Sequence, residues 1–271
     1  MSDPSSVQAV TLRTLRDYKR SGRPIVSLTA YDASFAARLD EAGVDVVLVG
    51  DSLGMVVQGH ATTLPVRMDD MVYHTAAVAR GCRRALLMAD LPFLSYADPA
   101  RAITNAGRLM AEGGAAMVKL EGGRAQAEVV SALAGQGIPV CAHLGLRPQS
   151  VHKAGGFRVQ GREHGARQQM LADAVALEEA GADMLLVECV PADLGAEITR
   201  SVSVPVIGIG AGPDCDGQIL VLYDVLGITP GRIPRFAREF MTGAGTVPAA
   251  IAAYAAAVRE RRFPGPEHQF S

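Results

Sequence analysis

One pattern occurs three times in this chain and limits the class of fold. The segments EAGVDVVLVGD, EGGAAMVKLE and EAGADMLLVE end at Asp51, Glu121 and Glu188. Each has an acid, a small residue and a glycine, then a short apolar run that finishes on a carboxylate. A glycine just past a helix can adopt the left-handed cap conformation, and a continuous apolar run is typical of a parallel strand buried on both faces. The pattern predicts repeated helix–strand units whose strands end on acidic side chains.

Further apolar runs continue this rhythm along the chain; they cover residues 24–31, 85–93, 139–145, 205–212 and 219–227. Helical stretches lie between them. Residues 32–43 begin with Asp32 as a helix N-cap, and residues 166–181 place Met170, Ala174 and Leu177 on one stripe. Strands alternating with helices in this way predict an α/β fold, a (β/α)8 TIM barrel. An open, doubly wound sheet is the alternative, because alternation alone does not show closure.

Composition limits the domain organisation and the partners. No shift in composition divides the chain, so residues 1–271 are predicted to form a single barrel domain, with extra helices near residues 12–20 and 248–261. The net charge of −2 argues against nucleic acid or a membrane surface as a partner. No apolar run has transmembrane length, and the first ten residues lack a signal-peptide pattern. Four cysteines without metal-ligand spacing favour free thiols and a cytoplasmic location.

Polar side chains collect at the predicted carboxyl ends of the strands, where barrel enzymes carry their catalytic groups. Lys119 and Glu121 are two residues apart on one strand and therefore face the same way. Burying several acids together is costly unless a cation compensates, and oxygen ligands without a His or Cys cluster favour Mg²⁺. The candidate site residues are Asp51, Ser52, Asp90, Lys119, Glu121, His143 and Glu188.

Each of these residues also has a purely structural interpretation. A single acid after a strand is commonly a helix cap, His143 alone is more often a hydrogen-bonded core histidine, and Lys119 with Glu121 could form a simple ion pair. The number of such groups at equivalent strand ends favours a shared catalytic site.

Six motifs now identify a family. LVGDSLGMVVQGHATTLPV, ADLPF, MVKLEGG, HLGLRPQSV, LLVECVP and PVIGIGAG occur in order between about Thr11 and the C-terminus. They resemble the motifs of ketopantoate hydroxymethyltransferases (3-methyl-2-oxobutanoate hydroxymethyltransferases). Several long motifs at compatible spacing are far more specific than any single glycine pattern.

The resemblance implies a Mg²⁺-dependent TIM barrel that uses 5,10-methylenetetrahydrofolate. It implies transfer of a hydroxymethyl group to 3-methyl-2-oxobutanoate, giving ketopantoate for pantothenate and coenzyme A biosynthesis. By motif, Asp51 and Asp90 correspond to metal ligands that also contact the substrate, and Glu121 to a third acid at the metal. Ser52 and Lys119 correspond to groups that hold the keto acid, and Glu188 to the general base, with His143 in a possible supporting role. The resemblance also implies a homo-oligomer, a ring-like decamer.

Two glycine-rich segments leave alternatives open. Residues 208–213 could cradle a phosphate, but glycines that permit close backbone packing are the favoured interpretation. Residues 151–162 could form a lid whose Lys153, Arg158 and Arg162 meet the glutamate tail of folate, or a solvated loop.

Two other functions remain as alternatives. A Mg²⁺-dependent carbon–carbon lyase of 2-oxo acids would use a similar enolate without folate, and a binding or scaffold barrel would have no turnover. The apolar helix VPAAIAAYAAAV near the C-terminus is expected to need a partner surface for its burial.

Overall fold

The structure, a computed structural model, describes residues 8–271. The first seven residues of the predicted domain, and with them most of the N-terminal segment without a signal-peptide pattern, lie outside the described residues. The strands are β1 (Ile25–Thr29), β2 (Val46–Val49), β3 (Leu86–Asp90), β4 (Met117–Glu121), β5 (Val140–Gly145), β6 (Met184–Glu188), β7 (Val206–Ile209) and β8 (Gly217–Leu220).

The helices lie between and outside these strands. They are α1 (Leu12–Ser21), α2 (Ala33–Glu41), α3 (Leu53–Val56), α4 (Met68–Ala79), α5 (Pro99–Ala111), α6 (Ala127–Gly135), α7 (Val151–Ala154), α8 (His164–Glu179), α9 (Ala192–Ser201), α10 (Leu222–Val225) and α11 (Val247–Arg259). Short 3₁₀ turns cover Arg124–Gln126, Pro148–Ser150 and Pro266–His268.

The eight strands pair in parallel in chain order, and β8 pairs with β1, so the sheet is a closed barrel. The TIM-barrel prediction is therefore confirmed, and the open sheet is excluded. Every residue of β1 to β4 is buried, which agrees with continuous apolar runs covered on both faces. In the described part of the chain, no helix has both the length and the apolar character needed to cross a membrane.

The local signals for helix ends are also confirmed. Asp32 caps α2, and its carboxylate accepts hydrogen bonds from the backbone N–H groups of Ser34 and Phe35. The glycines that precede three strands, Gly43, Gly114 and Gly181, have φ angles of +76°, +79° and +104°. Residues with a side chain rarely adopt such positive φ angles, which explains the glycine in each copy of the repeat.

The last predicted strand was wrong in its extent. Strand β8 begins at Gly217 and ends at Leu220, whereas residues 222–225 form α10. The apolar run of residues 219–227 is shared by the strand and the helix, and both are buried. Periodicity alone does not separate a buried strand from a buried helix turn.

The apolar C-terminal helix α11 packs against its own barrel. Tyr254 is fully buried, and its hydroxyl donates to the carbonyl oxygens of Ser27 in β1 and Gln218 in β8, at 3.0 and 3.1 Å. The helix thus covers the seam where the barrel closes. The expectation that its apolar face needs a partner chain was wrong, because the same face is buried within this chain.

Candidate active site

The predicted site residues meet at the carboxyl ends of the strands. One cavity of about 550 Å³ is lined by all seven of them: Asp51, Ser52, Asp90, Lys119, Glu121, His143 and Glu188. This volume lies in the range of small-molecule sites. The closed barrel brings together strand ends that are more than one hundred residues apart in sequence.

Asp51 and Asp90 are in direct contact across β2 and β3. The backbone N–H of Asp51 donates to Asp90 Oδ2 at 3.0 Å, and Lys119 Nζ donates to Asp90 Oδ1 at 2.5 Å. All three side chains are buried. The lysine lies on the neighbouring strand, because β3 and β4 pair Asp90 directly with Lys119.

Acidic side chains outnumber the one buried lysine at this point of the barrel. Burial and the Asp90 carboxylate raise the pKa of Asp51 to about 7. Burial, together with Asp51, also raises the pKa of Glu121 well above its usual value. Burial alone would lower the pKa of Lys119, but Asp90, Glu121 and Asp51 outweigh it and raise that pKa. Lys119 is therefore charged, and a further cation would relieve the repulsion among the acids.

Glu188 lies beside His143, at the end of β6. His143 Nε2 is 3.2 Å from Glu188 Oε2, and His143 Nδ1 is 3.7 Å from Glu121 Oε1. Neither ring nitrogen makes a well-aligned hydrogen bond. Burial and the positive charge of Lys119 lower the pKa of His143 well below its usual value, so the imidazole is neutral. Burial raises the pKa of Glu188 to about 8, near the value that suits a general base at neutral pH.

Three side chains at the site were missed from the sequence. Tyr31, just after β1, shares a 2.9 Å hydrogen bond between its hydroxyl and that of Ser52. Tyr96 and Gln149 are buried next to the acids. Gln149 lies within HLGLRPQSV, but a glutamine in a turn has no sequence signature of its own, and the two tyrosines follow strands in the way ordinary core residues do.

The remainder of the cavity wall is largely apolar, and exposed arginines stand around it. Phe157, Phe236 and Phe270 line the wall together with the exposed Arg232 and Arg235. The two arginines lie after α10, in a segment without a sequence motif that predicts a role.

Only part of the predicted lid reaches the cavity. The segment begins as α7 and continues irregularly, and its Phe157 and Arg158 line the cavity. Lys153 is exposed and lies outside the lining, and Arg162 donates from Nε to the carbonyl oxygen of Ser271 at 3.0 Å. Of the three predicted folate contacts, the geometry therefore supports Arg158 alone.

The glycines of residues 208–213 permit close packing, as favoured from the sequence. A Cβ added at Gly208 would lie 2.9 Å from Cys215 Sγ, and one at Gly212 would lie 2.6 Å from Ala192 Cβ. Both distances are too short for a residue with a Cβ atom. The close approach of neighbouring atoms therefore explains why glycine occupies these two positions.

The donor set fits a hard divalent cation held by few protein ligands. Within residues 8–271, no three His, Cys, Asp or Glu side chains converge as a ready-made metal cluster. Asp90 is instead paired with Lys119, and one oxygen of Asp51 accepts from Gln149 Nε2 at 2.9 Å. Mg²⁺ commonly uses one or two carboxylates and takes its other ligands from substrate and water. Asp51 and Asp90 can supply these two carboxylates. A bound cation is also favoured because buried acidic side chains outnumber the buried lysine beside them.

Comparison with known proteins decides the family. The model of the family described as ketopantoate hydroxymethyltransferase matches residues 9–266. The chain belongs to the ketopantoate hydroxymethyltransferase family. This confirms the resemblance inferred from the six motifs, and with it the prediction of an enzyme of this transferase class.

The relatives match over nearly their whole length. The chain is 63% identical to the 3-methyl-2-oxobutanoate hydroxymethyltransferase of Halorhodospira halophila, over 97% of this chain and 95% of that protein. It is 61% identical to the enzyme of the same name from Alkalilimnicola ehrlichii, over 98% and 96% of the two chains.

Solved structures of other enzymes share the fold. A putative lyase/mutase from Burkholderia cenocepacia superposes with a TM-score of 0.59 at 20% identity, over 98% of this chain and 99% of that one. A phosphonopyruvate hydrolase in complex with oxalate and Mg²⁺ superposes with a TM-score of 0.60 at 16% identity, over 78% and 80%. At such identities the likeness concerns the barrel alone.

Proposed function

We propose that this chain transfers a hydroxymethyl group from 5,10-methylenetetrahydrofolate to 3-methyl-2-oxobutanoate, giving 2-dehydropantoate (ketopantoate), with Mg²⁺ at Asp51 and Asp90. The proposal depends on one observation in a chain of this family, the arrangement of buried charged side chains around a single cavity. Paired aspartates lie against a charged lysine, and Glu188 lines the same cavity with its pKa near 8. The product belongs to pantothenate and coenzyme A biosynthesis.

The keto acid is an anion, and the site offers it positive charge and hydroxyl donors. Lys119 is buried and charged, so its attraction for a carboxylate or a developing enolate oxygen is stronger than it would be in water. Ser52 lines the cavity, with its hydroxyl held by Tyr31. When bound, Mg²⁺ would act as a Lewis acid toward the keto group of the substrate.

Glu188 removes the proton from C3 of the substrate in this scheme. Its carboxylate is desolvated, which makes it a stronger base than an exposed glutamate. Nε2 of the neutral His143 lies 3.2 Å from Glu188 Oε2 without a well-aligned hydrogen bond, so the imidazole borders the carboxylate and limits its movement. C3 then forms a bond to the methylene carbon of the folate, whose bonds to N5 and N10 break. Water supplies the hydroxyl oxygen, and the protons released from C3 and from water end on the two nitrogens of the departing tetrahydrofolate.

Folate is assigned to the apolar part of the cavity. A fused heteroaromatic ring suits the wall formed by Phe157, Phe236 and Phe270. The glutamate tail carries carboxylates, and the exposed Arg158, Arg232 and Arg235 line the same cavity. We assign the tail to these three arginines, in place of Lys153 and Arg162.

Assembly and location are proposed on narrower grounds. A homo-oligomer is supported by exposed Phe93 and Leu94 beside an open groove that Val66 and Met68 also line; apolar side chains so grouped favour contact with a second copy. Light scattering should give a mass above that of one chain, and a stable monomer at working concentration would refute the homo-oligomer.

Four cysteines without a disulfide agree with a cytoplasmic enzyme.

Isotope exchange at C3 of 3-methyl-2-oxobutanoate in D₂O tests the function. Proton NMR should show exchange that requires both the protein and Mg²⁺. Tetrahydrofolate with formaldehyde should then yield the hydroxymethylated acid. Cleavage of a 2-oxo acid without folate would favour the lyase, which the family assignment does not favour. Binding without exchange would indicate a scaffold protein.

A further inference from the structure

Gln149 is a buried amide that connects three parts of the barrel mouth. It lies in the 3₁₀ turn after β5 and is 5% exposed. Its Nε2 donates to Asp51 Oδ2 and to the carbonyl oxygen of Leu91, both at 2.9 Å. Its Oε1 accepts from the hydroxyl of Tyr96 at 2.5 Å. Both hydrogens of the amide and its oxygen therefore have fixed partners, so the side chain has a single defined orientation.

The backbone of the same residue holds a second acid. The N–H of Gln149 donates to Glu121 Oε2 at 3.1 Å. One residue of a loop thus fixes one oxygen of Asp51, on the β2 side, and one oxygen of Glu121, at the end of β4. By the family resemblance, these are two of the three acids at the cation.

The chemistry of the site explains why an amide is suited to this position. Asp51 faces the Asp90 carboxylate, with its own N–H on Asp90 Oδ2. A glutamate at residue 149 would add negative charge where acids already repel, and a lysine would compete with the cation. A neutral amide donates to one carboxylate oxygen and leaves the net charge unchanged.

We propose that Gln149 is a positioning residue for the metal site: it holds Asp51 through Oδ2 so that Oδ1 stays free as the ligand atom. Leu91 and Tyr96 in turn hold the amide. This inference rests on the proposed function, because it assumes that Asp51 binds the cation. Partners of this kind orient metal ligands, and their removal typically lowers metal affinity about 10- to 100-fold.

The experiment compares two substitutions of similar shape. Gln149→Met keeps the length of the side chain and removes all three of its hydrogen bonds. Gln169→Met is the matched control, because Gln169 Nε2 donates to Asp173 Oδ1 at 2.7 Å on the exposed side of α8. Mg²⁺ is titrated calorimetrically into the full-length, ligand-free proteins, and thermal unfolding without Mg²⁺ is measured in parallel.

Gln149→Met should weaken Mg²⁺ binding at least about 10-fold, and excess Mg²⁺ should restore much of its C3 exchange. The control should bind Mg²⁺ as the wild type does. A role in stability alone would lower the melting temperature and leave Mg²⁺ affinity unchanged, and that result overturns the inference. If Gln149→Met does not fold, Tyr96→Phe removes the hydroxyl that orients the amide, and it should weaken Mg²⁺ binding to a smaller degree; unchanged binding there also overturns the inference.

The wild-type protein separates this inference from the proposed function. Wild-type protein that takes up no Mg²⁺ overturns the metal assignment and the role of Gln149 together. Wild-type binding with equal binding in the folded variant overturns the role of Gln149 alone.

Discussion

Lys119 Nζ lies 2.5 Å from Asp90 Oδ1, and both side chains are at most 5% exposed. The two residues are direct partners in the β3–β4 register. Removing one member of such a buried ion pair leaves the other charge buried without a partner. The resulting loss of stability is far larger than the net stabilisation that the intact pair provides.

Lys119→Met should therefore lower the free energy of unfolding by about 3–5 kcal/mol, because Asp90 then stays buried beside Asp51 without a counter-charge. The double variant Lys119→Met/Asp90→Asn should recover a large part of that loss. Urea denaturation of the ligand-free protein measures both. Arg38→Met, which removes an exposed ion pair with Glu41, serves as the control with little expected change. Additive losses in the double variant would show that the two side chains do not interact.

Asp51→Asn and Asp90→Asn should each abolish the Mg²⁺-dependent binding of 3-methyl-2-oxobutanoate. Each loses a charged oxygen ligand, and Mg²⁺ strongly prefers carboxylates over amides among its few protein ligands. Calorimetric titration of the keto acid with and without Mg²⁺ gives the result, and circular dichroism checks the fold. Normal Mg²⁺-dependent binding in either variant would remove that residue from the ligand set.

Glu188→Gln should keep the affinities for Mg²⁺ and keto acid within a few-fold and lower C3 exchange by on the order of 10²-fold or more, the usual effect of losing a general base. The side chain lies at the end of β6 beside His143, whereas Asp51 follows β2 and Asp90 ends β3. Proton NMR in D₂O follows the exchange. Near-normal exchange would move the base role to another residue, with His143 the next candidate, and loss of affinity would place Glu188 in the metal site.

The same substitution should stabilise the ligand-free protein at high pH. The pKa of Glu188 is raised from 4.5 to about 8 in the fold, so the folded state binds its proton more tightly than the unfolded state. Its contribution is complete below the unfolded pKa and is lost as the pH rises through about 8. Glu188→Gln cannot ionise, so its advantage over wild type should grow between pH 5 and 8 and level off above. Melting curves at several pH values test this, and a constant difference would contradict the raised pKa.

Arg232→Ala should raise the KM for the folate co-substrate several-fold and leave kcat nearly unchanged, because a charge at the edge of the cavity contributes to binding and not to the reacting atoms. A folate with more glutamates should show the larger effect. Lys153→Ala is the matched control, since the Lys153 side chain is also positively charged but does not line the cavity. Equal effects of the two substitutions, or none, would remove the assignment of the tail to Arg232.

The sequence by itself determined the fold class and which polar side chains stand at the strand ends that meet in the cavity. Local chemistry sets both: glycine caps such as Gly43, apolar runs too regular for loops, and strand ends carrying Asp51, Glu121 and Glu188. These features need no knowledge of distant residues, because each follows from a few neighbours along the chain. The motifs added the family, which the comparisons confirm.

Only the tertiary structure decided which strand closes the barrel and which groups meet. The barrel closes where β8 pairs with β1. The last apolar run is divided between β8 and α10. Packing decides this division, because periodicity alone does not separate a buried strand from a buried helix turn. The tertiary structure also places α11 on its own barrel, Arg232 and Arg235 at the cavity, and Gln149 between Asp51 and Glu121. The pKa shifts of Glu188 and His143 belong to this level too, since desolvation depends on neighbours contributed by the whole barrel.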